Sequence, residues 1–221
     1  GLAEKLARLL KFGSYGYRPG KLYVNNAAFA KTKEFMVRQL PAFDNSNSAR
    51  AMIKKIFDYN EAASCAKKHG YIYLGQAYNS MLGYNGLTNR EIMQILADRG
   101  TDAVIRKHPR DSDSFQEFAV DNGTNMWELE CIDSIKDNHV LIACCSTAQV
   151  SPKMLCGSEP YIVFLYKLFL NGNSPLQNVY DGIVDDVIKM YSDRDKIYVP
   201  VSVADFEQTV EIINEKRRNQ L

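Results

Sequence analysis

The sequence is poor in the features that mark several common protein classes. Its five cysteines form no CxxC pair and no Cys–His ligand spacing, so neither a disulfide framework nor a zinc site is encoded. Basic residues exceed acidic residues by only one, which leaves no electrostatic footprint for nucleic acid. No apolar run approaches the roughly 18 residues that a membrane span requires. These absences argue against a secreted disulfide scaffold, a zinc module and a nucleic-acid-binding protein.

Motifs of familiar enzyme classes are missing as well. The chain contains no GxSxG, no Walker A loop and no GxGxxG, and we expect no metal and no cofactor. What is present is typical of an ordinary globular protein, with 46% apolar and 24% charged residues. Free thiols at this density fit a reducing cytosol. We therefore predict a globular cytoplasmic protein.

The character of the chain changes near Gly70. Before it, basic helical patterns at residues 4–11 and 48–59 flank turns and short strands. This segment has too little apolar length for a core of its own. Residues 1–69 are therefore predicted to be part of an N-terminal lobe or a connector. Because the sequence opens with Gly1 rather than Met, we expect a fragment of a longer protein.

Residues 70–221 alternate between short β-branched or aromatic runs and longer helical patterns. Strands are predicted at 71–74, 103–106, 140–144, 161–165 and 197–199, and helices at 88–99, 113–120, 147–155, 179–191 and 203–216. Thr88 with Glu91 and Ser202 with Asp205 have the spacing of capping boxes. Strands separated by helices predict an α/β domain with a Rossmann-like, mostly parallel sheet and helices on both faces.

In such sheets ligands bind beyond the carboxyl ends of the strands. His108, Pro109 and Arg110 follow the second predicted strand, and an imidazole there can meet a phosphate or protonate a leaving group. The alternative is a histidine on the surface without a ligand. Ser146 and Thr147 stand at a predicted helix start, where they either cap the helix alone or also form an anion site.

A third group of residues lies between these two. The segment NMWELEC carries Glu128 and Glu130. A carboxylate near a nucleotide site can accept hydrogen bonds from ribose hydroxyls. The alternative, which we favour from the residues alone, is that both glutamates are solvated first-turn residues that suit the helix dipole.

Taken in order, YNG, KHPR, WELE and CSTA resemble the bacterial lipooligosaccharide-type sialyltransferases of glycosyltransferase family 52. The resemblance implies the C-terminal lobe of a two-lobed GT-B fold that holds CMP-sialic acid. It implies inverting, metal-independent transfer of sialic acid to a surface-glycan acceptor, at the inner face of the membrane. It also implies that His108, within the His108-Pro109-Arg110 motif, contacts and protonates the departing phosphate. By the same resemblance, Ser146 and Thr147 bind that phosphate and Glu128 binds the ribose.

The sequence departs from this family at one catalytic position. The family has an acidic general base just before a glycine, about two dozen residues ahead of the motif histidine, where this chain has Asn85. An amide does not take a proton from an acceptor hydroxyl, and a general base contributes roughly 10²–10⁴-fold to rate. Glu91 is the nearest replacement, although it is also the natural capping partner of Thr88. Activity is therefore expected to be impaired.

Two other functions stay open on the sequence alone. One is a glycosyltransferase with a different nucleotide sugar, which the missing acid at Asn85 suggests. The other is a non-catalytic nucleotide-binding or assembly module, in which an exposed face of tyrosines would support self-association as a homodimer. The alternative, which we favour, is that most of these tyrosines pack in the core or against loops. Contact with nucleic acid is not expected in any of the three.

Overall fold

The computed structural model describes residues 21–24, 27, 30, 36–40, 46–77, 87–170 and 175–219. The chain divides into two compact units, Gly1–Pro41 and Ala42–Leu221. In the first unit, strand β1 (Lys21–Val24) pairs in parallel with β2 (Met36–Gln39). The helix predicted at residues 4–11 lies outside the described residues.

The second unit is built on a six-stranded, all-parallel sheet. Its strands are β3 (Tyr71–Leu74), β4 (Val104–Arg106), β5 (Ala119–Asp121), β6 (Val140–Ala143), β7 (Tyr161–Phe164) and β8 (Ile197–Tyr198). They are ordered β5-β4-β3-β6-β7-β8. This is the strand order of a doubly wound Rossmann sheet, with the reversal between β3 and β6. The predicted α/β class and parallel sheet are confirmed, whereas the two-lobed GT-B architecture stays a prediction.

Helices cover both faces of this sheet. Along β3, Tyr71 and Tyr73 belong to one hydrophobic cluster and Ile72 and Leu74 to another, and all four are buried. The helices are α1 (Asn47–Ile56), α2 (Asn89–Asp98), α3 (Trp127–Asp133), α4 (Thr147–Cys156), α5 (Pro175–Met190) and α6 (Val203–Arg218). The first cluster includes residues of α2 and α6, and the second includes residues of α3. Burial on both faces explains why the strands are continuous apolar runs.

One predicted helix is wrong. The sequence pattern predicts a helix over residues 113–120. Instead, the segment is a loop that ends in β5, where Ala119 pairs with Val104 and Asp121 with Arg106. Phe115 is buried in the core without a helix around it. Pairing with the exposed edge of β4 therefore outweighs the local helical pattern.

Residues 46–69 belong to the second unit, which begins at Ala42, and they pack against its α3. Lys54 on α1 forms an ion pair with Asp133 on α3, with 2.9 Å between Nζ and Oδ1. The Tyr59 hydroxyl lies 2.7 Å from Ser134 Oγ. This compact unit starts earlier than residue 70, where the sequence pattern placed the start of the donor-binding domain. The assignment of a donor-binding function to residues 70–221 stays a prediction.

Candidate functional site

The predicted site residues that the structure describes, His108 to Arg110, Glu128, Ser146 and Thr147, lie at the carboxyl edge of the sheet. Strands β4 and β6 are the two neighbours of β3, and His108 and Ser146 follow β4 and β6 directly. Neighbouring strands are about 4.8 Å apart, so the axes of β4 and β6 are separated by roughly 10 Å. The strand order reverses between β3 and β6, which is where open α/β sheets bind ligands. The Ser146 segment follows β6 at this switch point, and the His108 segment follows β4, the neighbour of β3 on its other side.

His108 lies in a tight turn that Pro109 helps to form. The Asp111 N–H donates to the His108 carbonyl at 2.8 Å, which closes a four-residue turn with Pro109 at its second position, a favoured place for proline. The Arg110 N–H donates to His108 Nδ1 at 3.1 Å. The ring is half-buried, while Pro109 and Arg110 are exposed. The histidine is therefore held by its own turn, with Arg110 free to approach a ligand from solvent.

This turn is tied to the start of α2 by Asn89. The Asn89 side chain is 4% exposed, and its Nδ2 donates to Asp111 Oδ2 at 2.9 Å and to the Gln76 carbonyl at 2.8 Å. Its Oδ1 accepts from the Tyr73 hydroxyl at 2.7 Å and from the Gln76 N–H at 3.2 Å. All hydrogen-bonding positions of this amide are used. Asn89 joins the carboxyl end of β3 to the turn after β4, a role that the sequence reading missed.

The start of α4 has a similar anchor on the other side of β3. Ser146 Oγ accepts from the Ala148 N–H at 3.3 Å, so Ser146 is the predicted helix cap. The Ser146 N–H donates to Gln149 Oε1 at 3.2 Å. Gln149 is completely buried, and its Nε2 donates to the carbonyls of Leu141 and Val163 at 3.2 and 2.9 Å. Thr147, the first residue of α4, is exposed. The α4 N-terminus is thus fixed to the sheet while one hydroxyl faces solvent.

Glu128 is brought to the same place by the neighbouring helix. Trp127, the first residue of α3, donates from Nε1 to the Ala148 carbonyl in the first turn of α4 at 2.8 Å. Glu128 follows Trp127 and is exposed. The α3 and α4 N-termini are therefore adjacent, and the WELE and CSTA segments meet in space.

Glu130 does not lie in solvent, which corrects the expectation from sequence. It is 1% exposed, and its carboxylate accepts from Ser64 Oγ at 2.6 Å and from Asn125 Nδ2 at 2.8 Å. Asn125 also bonds to the backbone of Asn60 in both directions. Glu130 therefore holds residues 60–64 against α3 and is a structural residue.

A buried ion pair holds the residues at the start of α3 in place. Arg106, the last residue of β4, forms an ion pair with Asp121, the last residue of β5, at 2.5 Å. Its Nη2 donates to the Asn125 carbonyl at 2.7 Å, and the guanidinium lies 5.3 Å from the centre of a Trp127 ring. These contacts fix Trp127, and through it the relative placement of the α3 and α4 N-termini.

The base position of the family, Asn85, lies outside the described residues. Glu91, the alternative acid, is occupied by capping. Its Oε2 accepts from the Thr88 N–H at 2.7 Å and the Thr88 hydroxyl at 2.8 Å, and these bonds lower the pKa of its carboxyl. Thr88 Oγ1 in turn accepts from the Glu91 N–H. Glu91 is thus the capping partner that the sequence pattern favoured.

The thiols at this edge are poor nucleophiles. Burial raises the pKa of both Cys144 and Cys145 to about 12, and thiolates rather than thiols react. Within the described ranges, three or more His, Cys, Asp or Glu side chains nowhere converge as a metal site would require. Each helix in the described part of the chain is too short or too polar to cross a lipid bilayer.

A cleft of about 1050 Å³ lies at the opposite, amino edge of the sheet. Its lining includes Tyr71, Arg99, Asn214 and Arg217. These groups are largely engaged with one another: Tyr71 donates to Asn214 at 2.7 Å, Asn214 donates to the Arg99 carbonyl, and Arg99 pairs with Glu211 on α6. The cleft therefore follows from the packing of α6 beside β3 and contains none of the residues predicted from sequence.

Comparison with known proteins adds no family to this description. No protein-family model, curated protein or solved structure matches the chain.

Proposed function

We propose that residues 70–221 bind the nucleotide-sugar donor of a sialyltransferase-like glycosyltransferase, with CMP-sialic acid as the donor. The observation that supports this most is the placement of three chemically suited segments at the carboxyl edge of one sheet. His108, Ser146 with Thr147, and Glu128 come from three separate segments and lie at the end of the sheet where nucleotides bind. Their chemistry matches two parts of a CMP group, since the phosphate needs donors and the ribose needs an acceptor.

The phosphate is assigned to the α4 N-terminus. The helix dipole favours an anion there, and Thr147 adds an exposed hydroxyl. In transfer, the bond from the anomeric carbon to the phosphate oxygen breaks, and its electron pair stays on the phosphate. Groups that already point at this oxygen stabilise the charge as it develops. The oxygen of a surface-glycan hydroxyl forms the new bond to the anomeric carbon, and the proton of that hydroxyl passes to water.

Calorimetric titration with CMP and CMP-sialic acid tests the assignment. Thr147→Val removes the exposed hydroxyl at the α4 N-terminus and is expected to weaken CMP binding about tenfold, the value of a hydrogen bond to a charged group. Ser151→Ala is the matched control, because its hydroxyl lies one turn further along the same helix and bonds to the Thr147 carbonyl. Equal losses in the two variants contradict the phosphate assignment, and no heat with millimolar CMP rejects the donor site.

The ribose assignment has its own test. If Glu128 accepts from the ribose hydroxyls, the wild-type protein binds CMP more tightly than 2′-deoxy-CMP, and Glu128→Ala removes that preference. A preference that survives in Glu128→Ala places the ribose elsewhere. Titration with UDP and GDP in the same series separates the donors: tighter binding of either diphosphate favours a glycosyltransferase with a different sugar nucleotide.

A further inference from the structure

The hydrogen bonds around His108 determine which ring nitrogen carries its hydrogen. Nδ1 accepts from the Arg110 N–H at 3.1 Å. A ring nitrogen that accepts a hydrogen bond carries no hydrogen, so the neutral imidazole has its hydrogen on Nε2. The ring thereby presents a donor at Nε2, the nitrogen further from its own backbone.

The turn that imposes this state is itself held at three points. The Asp111 N–H bonds to the His108 carbonyl at 2.8 Å. The Asp111 carboxylate accepts from the Asp113 N–H at 2.9 Å through Oδ1 and from Asn89 Nδ2 at 2.9 Å through Oδ2. Asn89 is buried and bonded to both the N–H and the carbonyl of Gln76, so it does not move independently of β3. Asp111 thus connects the histidine turn to a fixed point of the sheet.

We infer that His108 meets its ligand as an Nε2–H hydrogen-bond donor, and that Asp111, anchored by Asn89, is the positioning residue that keeps the ring in this state. The ligand is an anionic oxygen, which the proposed function identifies as the CMP phosphate; the inference rests on that function for the identity of the ligand only. His108 transfers no proton: its hydrogen stays on Nε2, the phosphate oxygen keeps the electron pair of the broken bond, and the proton of the acceptor hydroxyl passes to water. This differs from the proton transfer that the family resemblance implies.

The state of the ring is measured directly by nitrogen NMR on the free protein, at a pH where an ordinary imidazole is neutral. The other two histidines are internal references. His139 Nε2 lies 2.8 Å from the Ala66 carbonyl and His69 Nδ1 lies 2.8 Å from the Asp102 carbonyl. Since a carbonyl only accepts, His69 has its hydrogen on Nδ1. In His139, Nδ1 accepts from the Lys136 N–H at 2.9 Å, so the hydrogen is on Nε2, which faces the nearer of its two carbonyl neighbours. We expect His108 to show the pattern of His139; the pattern of His69 would overturn the inference.

Two substitutions of His108 test whether the hydrogen bond to CMP is donated from the place of Nε2. In His108→Gln the new side chain carries an N–H₂ group near the place of Nε2, whereas in His108→Asn the N–H₂ group lies near the place of Nδ1. We expect His108→Gln to bind CMP within about threefold of wild type and His108→Asn to lose about tenfold. The reverse order contradicts donation from Nε2. If the wild-type protein binds no CMP, the proposed function fails, and the ring NMR still decides the tautomer.

The positioning role is tested with Asp111→Ala and its matched control Asp113→Ala. Asp113 takes part in the loop through its backbone N–H and carbonyl, so its side chain is dispensable for the turn. We expect Asp111→Ala to lose the pure Nε2–H pattern and show a mixture of both tautomers, whereas Asp113→Ala keeps the wild-type pattern. Thermal unfolding of both variants confirms that they are folded. An unchanged pattern in Asp111→Ala refutes the positioning role.

Discussion

Glu159 is the strongest electrostatic anchor outside the candidate site, and its neutralisation allows a quantitative test. The residue is 8% exposed. Its Oε1 contacts Lys153 Nζ at 2.5 Å and accepts from the Ser192 N–H and hydroxyl at 2.9 Å each, and its Oε2 accepts from the Asp193 N–H at 3.2 Å. Burial alone would raise the pKa of this carboxyl. The bonds from Lys153, Ser192 and Asp193 outweigh burial and lower the pKa from 4.5 to about 2.

The lowered pKa has a definite consequence for stability. Because the folded state binds the proton less tightly than the unfolded state, ionised Glu159 stabilises the fold by about 3 kcal/mol at neutral pH. This stabilisation is complete above pH 4.5 and is lost as the pH falls toward 2. We expect Glu159→Gln to lower the free energy of unfolding by about 2–3 kcal/mol at pH 7. The difference from wild type should shrink steadily below pH 4.5.

Urea denaturation of both proteins at neutral pH and at several acidic pH values gives this difference directly. Glu211→Gln is the control, since Glu211 also pairs with a basic residue, Arg99, but its side chain is 54% exposed. Exposed ion pairs contribute about 0–1 kcal/mol. A loss in Glu159→Gln that is no larger than in Glu211→Gln, or that does not vary with pH, refutes the reasoning.

Three further results are expected. Trp127→Phe deletes the Nε1 bond to Ala148 and should lower the free energy of unfolding by about 1 kcal/mol and weaken CMP binding, as measured by urea denaturation and calorimetry; unchanged CMP affinity would separate the α3–α4 contact from the site. Asn85→Asp should raise CMP-sialic acid hydrolysis or transfer in a product assay, and no gain would show that Asn85 is not the base position. Cys144, which is buried and whose pKa is raised to about 12, should react with a thiol reagent at pH 7 only after unfolding; rapid labelling of Cys144 in the native protein, located by peptide mapping, would contradict its burial.

Most strands were predictable because strands that are buried on both faces consist of continuous apolar or aromatic residues. Tyr71–Leu74 and Tyr161–Phe164 are buried along their whole length, and such runs need no partner to be recognised. Strand β5 lacks this signal, since Ala119 is exposed and Val120 half-buried. Its identity depends on hydrogen bonds to β4, which a local pattern does not contain. The same reason explains the wrong helix at residues 113–120.

Helix starts were predictable for a different reason, namely that a cap and its partner lie within four residues. Thr88 with Glu91 forms the full reciprocal pair. Ser202 Oγ accepts from the Asp205 N–H as expected, but the Asp205 carboxylate accepts from the Val201 N–H rather than from that of Ser202. Aspartate is one methylene shorter than glutamate, so it bonds to a different backbone group. The cap itself is unaffected.

The anchors of the candidate site could not be predicted from sequence, because each joins segments far apart along the chain. Asn125 bonds to Asn60, and Asn89 bonds to Asp111. Asparagine is common in turns and caps near helix starts. The residue type alone therefore does not distinguish an asparagine that joins distant segments from an ordinary cap. Only the order of the strands shows which segments become neighbours.

Both helix starts beside the switch point are anchored by a neutral amide, and this has a consequence for the electrostatics of the site. Asn89 bonds to the backbone of Gln76, and Gln149 bonds to the carbonyls of β6 and β7. An amide both donates and accepts, so one side chain satisfies backbone groups of either kind without adding charge. A carboxylate in place of Gln149 would put a negative charge beneath the α4 N-terminus, the place proposed for the phosphate, where little water screens it. The neutral anchors therefore hold the start of α2 to Gln76 and the start of α4 to β6 and β7. The positive end of the α4 dipole then stays available to an anion.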